Sequence, residues 1–234
     1  VGHWSMNSED TDNGKIRDRS AYDNHGTLNG GVSSGGYAPS GSALSFDGTN
    51  YISVASDPSH DITEELTLSL WFKSDVTLDG SNDNVALINR QQPEEDDSYW
   101  FGINNTGRLH LGSYGGNLQS SKSSWNSGQW YHVAGTFKSD LTGDLYIDGS
   151  QESLSTDNYD SMSGASRDLQ IVTTEWRQAF DGDLADVRVY NRALSESEIN
   201  QLYNQRSTRA HKMQQVPVAQ QDLAAYYPFN SPGA

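Results

Sequence analysis

The sequence predicts an all-β protein, an antiparallel sandwich of two stacked sheets with one short helix near its C-terminal end. Three observations carry that expectation. Apolar and polar residues alternate along a series of short runs. Gly, Asn, Asp and Ser bound those runs, with 22 glycines in 234 residues. Tyr and Trp are plentiful, 12 and 6, while apolar residues amount to only 34%. That mixture suits strands joined by polar loops rather than a helical bundle.

The runs follow one another through residues 43–190. Ala43-Leu44-Ser45-Phe46 ends at Asp47-Gly48, and Tyr51-Ile52-Ser53-Val54 follows. In Leu66–Phe72 the alternation puts Leu66, Leu68, Leu70 and Phe72 on one face and Thr67, Ser69 and Trp71 on the other. Val85–Ile88 is a compact apolar run. Tyr99–Ile103 leads through Asn104-Asn105-Thr106-Gly107 into Arg108–Leu111, which reads as a hairpin. Trp130–Phe137 and Gly143–Gly149 flank Ser139–Thr142 as a second hairpin, with Asp148-Gly149 turning the chain onward. Leu169–Val172 and Asp183–Tyr190 close the series. Unbroken alternation in the last would place Leu184, Asp186, Arg188 and Tyr190 on one face and Ala185, Val187 and Val189 on the other.

One helix is expected after Ser195. Ser195 can cap it, and Glu198 three residues on completes a capping box. Leu194, Glu198, Ile199 and Leu202 fall at helical spacing, as in a short surface helix packed on the sandwich. Residues 1–204 read as one domain. Residues 205–222 are polar and Gln-rich, like a linker. Residues 223–234 open with Leu223-Ala224-Ala225-Tyr226-Tyr227-Pro228-Phe229-Asn230, which echoes Val1–Asn7 at Trp4/Tyr227, Met6/Phe229 and Asn7/Asn230. That echo reads as the start of a second, tandem repeat; the plain alternative is an aromatic-rich tail.

Charge narrows the function classes. Thirty-one acidic against 15 basic residues give a formal net charge of −16. Nucleic acid and anionic membrane surfaces are poor partners for such a chain, because neutralising phosphates takes clustered Lys and Arg. The acidity fits solubility in extracellular surroundings, carboxylate loops that hold calcium, or both. No cysteine is present, which removes disulfides and thiolate metal sites. No run approaches 18 apolar residues, so membrane insertion through a helix is not expected. The first residue is Val1, with no basic and apolar leader behind it, as expected of a mature or excised segment.

Several stretches together resemble the laminin-G-like jelly-roll domains of the concanavalin A-like lectin/glucanase superfamily. They are Asn24-His25-Gly26-Thr27-Leu28, Ala43–Val54 with its Phe46-Asp47-Gly48, Leu66–Lys73, Gly128–Thr136 around Trp130-Tyr131-His132-Val133-Ala134, and Leu145-Tyr146-Ile147-Asp148-Gly149. The longest is Phe180–Ser195, with Asp186-Val187-Arg188-Val189-Tyr190-Asn191-Arg192-Ala193-Leu194-Ser195. Their number, order and spacing span roughly residues 1–204. The resemblance implies two antiparallel sheets in a jelly roll.

It also frames the candidate chemistry. Glycosidases on this sandwich carry an E-x-D-x-x-E strand whose alternate carboxylates face the sugar, and no such motif occurs here. Glu94-Glu95-Asp96-Asp97 is a contiguous loop run that scatters its carboxylates. No Gly-x-Ser-x-Gly elbow is present, and His132 reads as a structural histidine within a strand. An enzyme is therefore not expected. By resemblance, Asp186 is the candidate ligand of a structural calcium, with Asn7 and the Gly48 carbonyl as helpers; an ion pair with Arg188 is its plain alternative. The loop holding Asp18, Ser20, Asp23 and Asn24 offers further oxygens, and the histidines are too dispersed for zinc.

A glycan site needs aromatic faces beside hydrogen-bonding groups. Tyr99, Trp100, Tyr114, Trp125, Tyr159 and Trp176 are loop candidates, with Trp176-Arg177, Tyr114 and Trp100 favoured as ligand-binding residues. The expected function is a non-catalytic binding or adhesion module of a larger exported, extracellular or cell-surface protein. Its partners would be a glycan or another cell-surface ligand and the neighbouring domains of the same polypeptide. A ligand-free spacer repeat of an adhesin is the alternative, and a polysaccharide-active enzyme the third.

Overall fold

The computed structural model describes residues 1–90, 98–112, 116–158, 162, 167–172 and 179–205. The linker and repeat read in 206–234, the Glu94–Asp97 run, Tyr114, Tyr159, Trp176 and Arg177 lie outside the described residues. In chain order the strands begin with β1 (Gly2–Trp4), β2 (Thr11–Asp12), β3 (Lys15–Ile16), β4 (Gly26–Asn29), β5 (Ser33–Ala38) and β6 (Gly41–Asp47). Next come β7 (Tyr51–Val54), β8 (Leu66–Ser74), β9 (Val85–Asn89), β10 (Trp100–Ile103), β11 (Leu109–Gly112) and β12 (Asn117–Ser120). The last six are β13 (Tyr131–Phe137), β14 (Gly143–Ile147), β15 (Ser150–Gln151), β16 (Leu154–Asn158), β17 (Leu169–Ile171) and β18 (Asp181–Tyr190), before helix α1 (Glu196–Asn204).

They form two antiparallel sheets. One runs β15-β14-β13-β8-β18-β6-β5, with β1 also on β18; the other runs β16-β12-β11-β10-β9-β17-β7-β4-β3-β2. Consecutive hairpins supply β10-β11 and β13-β14, as read from their turns. The β14-β15 turn is a two-residue loop in which Asp148 has φ 51° and Gly149 φ 77°. Two positive φ angles match the right-handed twist of the flanking strands. Gly149 is needed there also because a Cβ would press within 2.8 Å of the Tyr203 ring. Strands β2–β5, β12 and β16 were not expected as strands, since their short length and polar content hide the alternation.

The core lies between the sheets and holds Leu66, Leu68, Leu70 and Phe72 of β8, as alternation dictates. Opposite them lie Phe101, Leu109, Leu111, Leu169 and Ile171 of the other sheet. Phe72 is the aromatic centre: its ring lies 5.3 Å from Trp125, 5.7 Å from Tyr131 and 6.4 Å from Phe180.

β18 departs from unbroken alternation. The register shifts between Ala185 and Arg188, and Asp186 adopts φ 52°. A residue in the left-handed region inserted into a strand is a bulge, and it exchanges the two faces beyond it. Leu184, Val187 and Val189 consequently share the core face, whereas Ala185 packs with Trp71 on the outer face. The same bulge changes partners. β6 pairs with Asp181–Leu184, and β1 pairs with Val187–Val189.

Helix α1 packs on the outer face of the eight-stranded sheet through Leu194, Ile199 and Leu202, against Ala134 and Tyr146. Tyr203 stacks on Trp71 with centroids 5.5 Å apart. The capping box is present: the Ser195 hydroxyl accepts from Glu198 N, and the Glu198 carboxylate accepts from Ser195 N at 2.9 Å. Replacing Ser195 by alanine is expected to cost about 1 kcal/mol, read as a lower urea midpoint with an unchanged slope. Equal midpoints would show that the cap adds nothing.

Candidate ligand face and metal-site residues

The outer face of the ten-stranded sheet collects side chains that lie far apart in sequence. In each strand the apolar members point to the core, so their neighbours point outward. Phe101 and Ile88 pack in the core, which turns Trp100 and Asn89 out; the two are register partners. Gly112 pairs with Trp100 and with Asn117, and Gln170 pairs with Asn89 and with Ser53, which pairs with Thr27. One continuous row thus reads Asn117, Gly112, Trp100, Asn89, Gln170, Ser53, Thr27. At about 4.8 Å per strand it spans roughly 29 Å. A second row two residues along holds Gln119, His110 and Gly102.

Trp100, favoured as a ligand-binding aromatic, lies in β10, the first strand of the hairpin, and is only 4% exposed. The His110 ring lies against it, with centroids 4.1 Å apart at 31°. Gly112 makes that possible, because a Cβ there would come within 2.1 Å of His110 Nε2. Trp100 is therefore a floor, and His110, Asn117 and Gln119 are the half-buried groups above and beside it. The Gln119 amide donates to Asn117 Oδ1 at 2.8 Å, which orients both side chains. An imidazole and two amides over an aromatic floor present donors and acceptors together, the chemistry that reads sugar hydroxyls.

Sequence reading missed Asn89, His110, Asn117, Gln119 and Gln170. The available signal was an amide or imidazole at the outward position of Val85–Asn89, Leu109–Gly112, Asn117–Ser120 and Leu169–Ile171. Which strands lie side by side was not readable from it.

The residues proposed for calcium do not converge. Asp186 Oδ1 accepts from His3 Nε2 at 2.8 Å and from Arg188 Nε at 2.9 Å. Burial opposes its charge, but the His3 hydrogen bond and the Arg188 guanidinium hold its pKa below the usual carboxylate range. Asn7 Oδ1 accepts from Ser42 N at 2.9 Å. Asp18 accepts from four donors, His3 N and Ser20 N on one oxygen and Ser20 Oγ and Asn24 N on the other. Burial works against its ionisation too, yet these bonds keep its pKa low; the carboxylate ties the loop to β1. Gly48 lies beyond the Asp181 end of β18, where Asp181 pairs with Asp47. That is five residues from Asp186, roughly 15 Å at strand rise. Among the described residues no three His, Asp or Glu side chains are grouped to hold a metal ion. The donor set does not fit calcium.

At the Gly48 end, Asp47, Gly48, Ser74, Val76, Leu78, Phe180 and Asp181 line a cleft of about 300 Å³. Burial, then the Asp75 and Asp47 charges, raise the Asp181 pKa. His132 is structural: its Nε2 shares a 3.0 Å hydrogen bond with Ser69 Oγ beneath Tyr203.

A family model described as the concanavalin A-like lectin/glucanases superfamily matches residues 46–200. The chain belongs to this superfamily. Its laminin-G-like stretches from Phe46 to Asn200 fall within the match, and the superfamily's two-sheet jelly roll is the architecture observed. No curated relative matches the sequence. Domain 4 of AbnA, an extracellular arabinanase from Geobacillus stearothermophilus solved with arabinotriose, is similar in structure. Its TM-score is 0.66 at 19% identity, over 86% of this chain and 97% of that one. The binding domain of Paraclostridial Mosquitocidal Protein 1 gives 0.66 at 16% identity over 87% of this chain. Botulinum neurotoxin type C, whose cell entry depends on two ganglioside molecules, gives 0.63 at 12% over 87%. This superfamily member spans about half the length of those two toxin chains, 51% and 50%. No helix among the described residues is long and apolar enough to cross a membrane.

Proposed function

We propose that this chain is a non-catalytic binding module of an exported protein, recognising an uncharged glycan on the outer face of its ten-stranded sheet. The observation that carries the reading is the Trp100–His110 stack flanked by Asn117 and Gln119. A sugar ring presents several hydroxyls, each both donor and acceptor; amides and an imidazole match that pattern, and a flat aromatic floor supports it. The net charge of −16 argues for a neutral ligand over a sialylated or uronic one. Structural similarity to an arabinanase domain solved with arabinotriose and to toxin binding domains supports a binding role. An extracellular setting agrees with those relatives and with the acidic surface.

A panel of neutral and acidic oligosaccharides, followed by titration calorimetry on the best binder, tests this. His110→Ala combined with Gln119→Ala is expected to weaken binding about tenfold or more, since each lost hydrogen bond contributes roughly 1 kcal/mol. Melting should be little affected, because both side chains are half-exposed. Undiminished affinity in the double variant, or preference for acidic sugars, would refute the assignment.

A further inference from the structure

We propose that the β18 bulge is neutralised from within: Arg188 supplies the counter-charge of Asp186, the His3 imidazole donates to the same carboxylate oxygen, and the site takes no calcium. Calcium requires six to eight oxygen ligands around one point. The Asp186 oxygen that faces β1, the Ser5 carbonyl and the Asp10 carboxylate are each already acceptors for protein donors. Asp186 Oδ1 receives two N–H groups, one from an imidazole and one from a guanidinium. The carbonyl of Ser5 accepts from Asp186 N at 3.3 Å. Asp10, another acid of the N-terminal segment, is taken by the Ser5 hydroxyl and by Arg19.

The backbone explains why the arrangement is built this way. Met6 and Asp186 both adopt left-handed φ angles, 60° and 52°. The chain leaves β1 just where β18 exchanges its partner β6 for β1. That exchange leaves a buried carboxylate at a break in the ladder, where it needs a counter-charge. β1 brings His3 to one side and β18 brings Arg188 to the other, two residues beyond the bulge. Arg19 also lies within electrostatic reach of Asp186. A divalent cation inserted here would meet the Arg188 guanidinium at close range and would have to displace hydrogen bonds already made.

The experiment is thermal unfolding of the full chain and of Asp186→Asn, each with millimolar calcium and with a chelator. Both proteins should show the same calcium response, to within about 1 °C. A calcium-dependent rise in the native chain that Asp186→Asn abolishes would overturn the proposal. If Asp186→Asn does not fold, the native protein still decides. Its His3 ring signals by NMR should stay in place as calcium is added, and a saturable shift of those signals would overturn the assignment.

Discussion

Lowering the pH from 7.5 to 5 is expected to remove about 4 kcal/mol of stability, roughly 2 kcal/mol for each of two histidines. Burial, followed by the Arg90 charge, lowers the His60 pKa to about 4. Burial, with Arg188 adding to it and Asp186 opposing it, takes His132 to about 4 as well. His60 is fully buried, and neither of its ring nitrogens has a hydrogen-bond partner among the described residues. Both histidines are neutral in the folded protein near neutral pH. The unfolded chain takes up protons near pH 6.5 and the folded chain does not until about pH 4. Stability is therefore whole above about pH 6.5 and falls as pH drops toward 4. Asp148 and Asp181, whose pKa values are raised chiefly by burial, oppose the trend over part of that window. Urea unfolding at a series of pH values measures the slope. His60→Gln and His132→Asn should each flatten it, and a level profile from pH 7.5 to 5 in the native protein would dismiss the account.

The acid response has a structural direction. His60 lies beside Arg90, which is fully buried and bonds to the His60 carbonyl at 2.9 Å, to Asp61 at 2.6 Å and to the Arg167 carbonyl at 3.2 Å. Protonating His60 places a second cation beside that guanidinium without water to screen them. His132 lies between the sheet and Tyr203 of α1, so its protonation strains the helix-covered face. The two events loosen different parts of the sandwich.

Phe72→Ala should cost about 4 kcal/mol, the largest effect expected of a single side chain. The ring is fully buried, and Trp125, Tyr131 and Phe180 all pack against it. Its loss removes the transfer free energy of the ring, three aromatic contacts and the filling of the space between them. Phe72→Leu, which retains most of the volume, should cost less than half as much. Denaturant midpoints of the two variants check the ordering; equal losses would mean that volume is not what the site requires.

Phe72 also shows what was readable without coordinates. Alternation over Leu66–Phe72 assigned its inward face correctly, and so did the hairpin turns at Asn104–Gly107 and Asp148-Gly149 and the Ser195 cap. Asp186 shows the opposite case. Nothing in the order Leu184-Ala185-Asp186-Val187-Arg188 announces a residue in the left-handed region, because Asp carries no local signal as strong as glycine's. The error displaced every face assignment beyond it. His110 and Gln119 escaped notice for another reason: each is an ordinary polar residue until β10, β11 and β12 are laid side by side.

Local periodicity, turn chemistry and capping act between residues a few positions apart, so the sequence by itself determined the strands of the central sheets, the helix and the superfamily. The bulge, the charge balance around Asp186 and the face uniting Asn89, Trp100, His110, Gln119 and Gln170 were decided only by tertiary structure. Their members meet across strand pairings separated by up to 185 residues, as between His3 and Arg188, and a pairing of that range is chosen by how two whole sheets pack rather than by any neighbour in the chain.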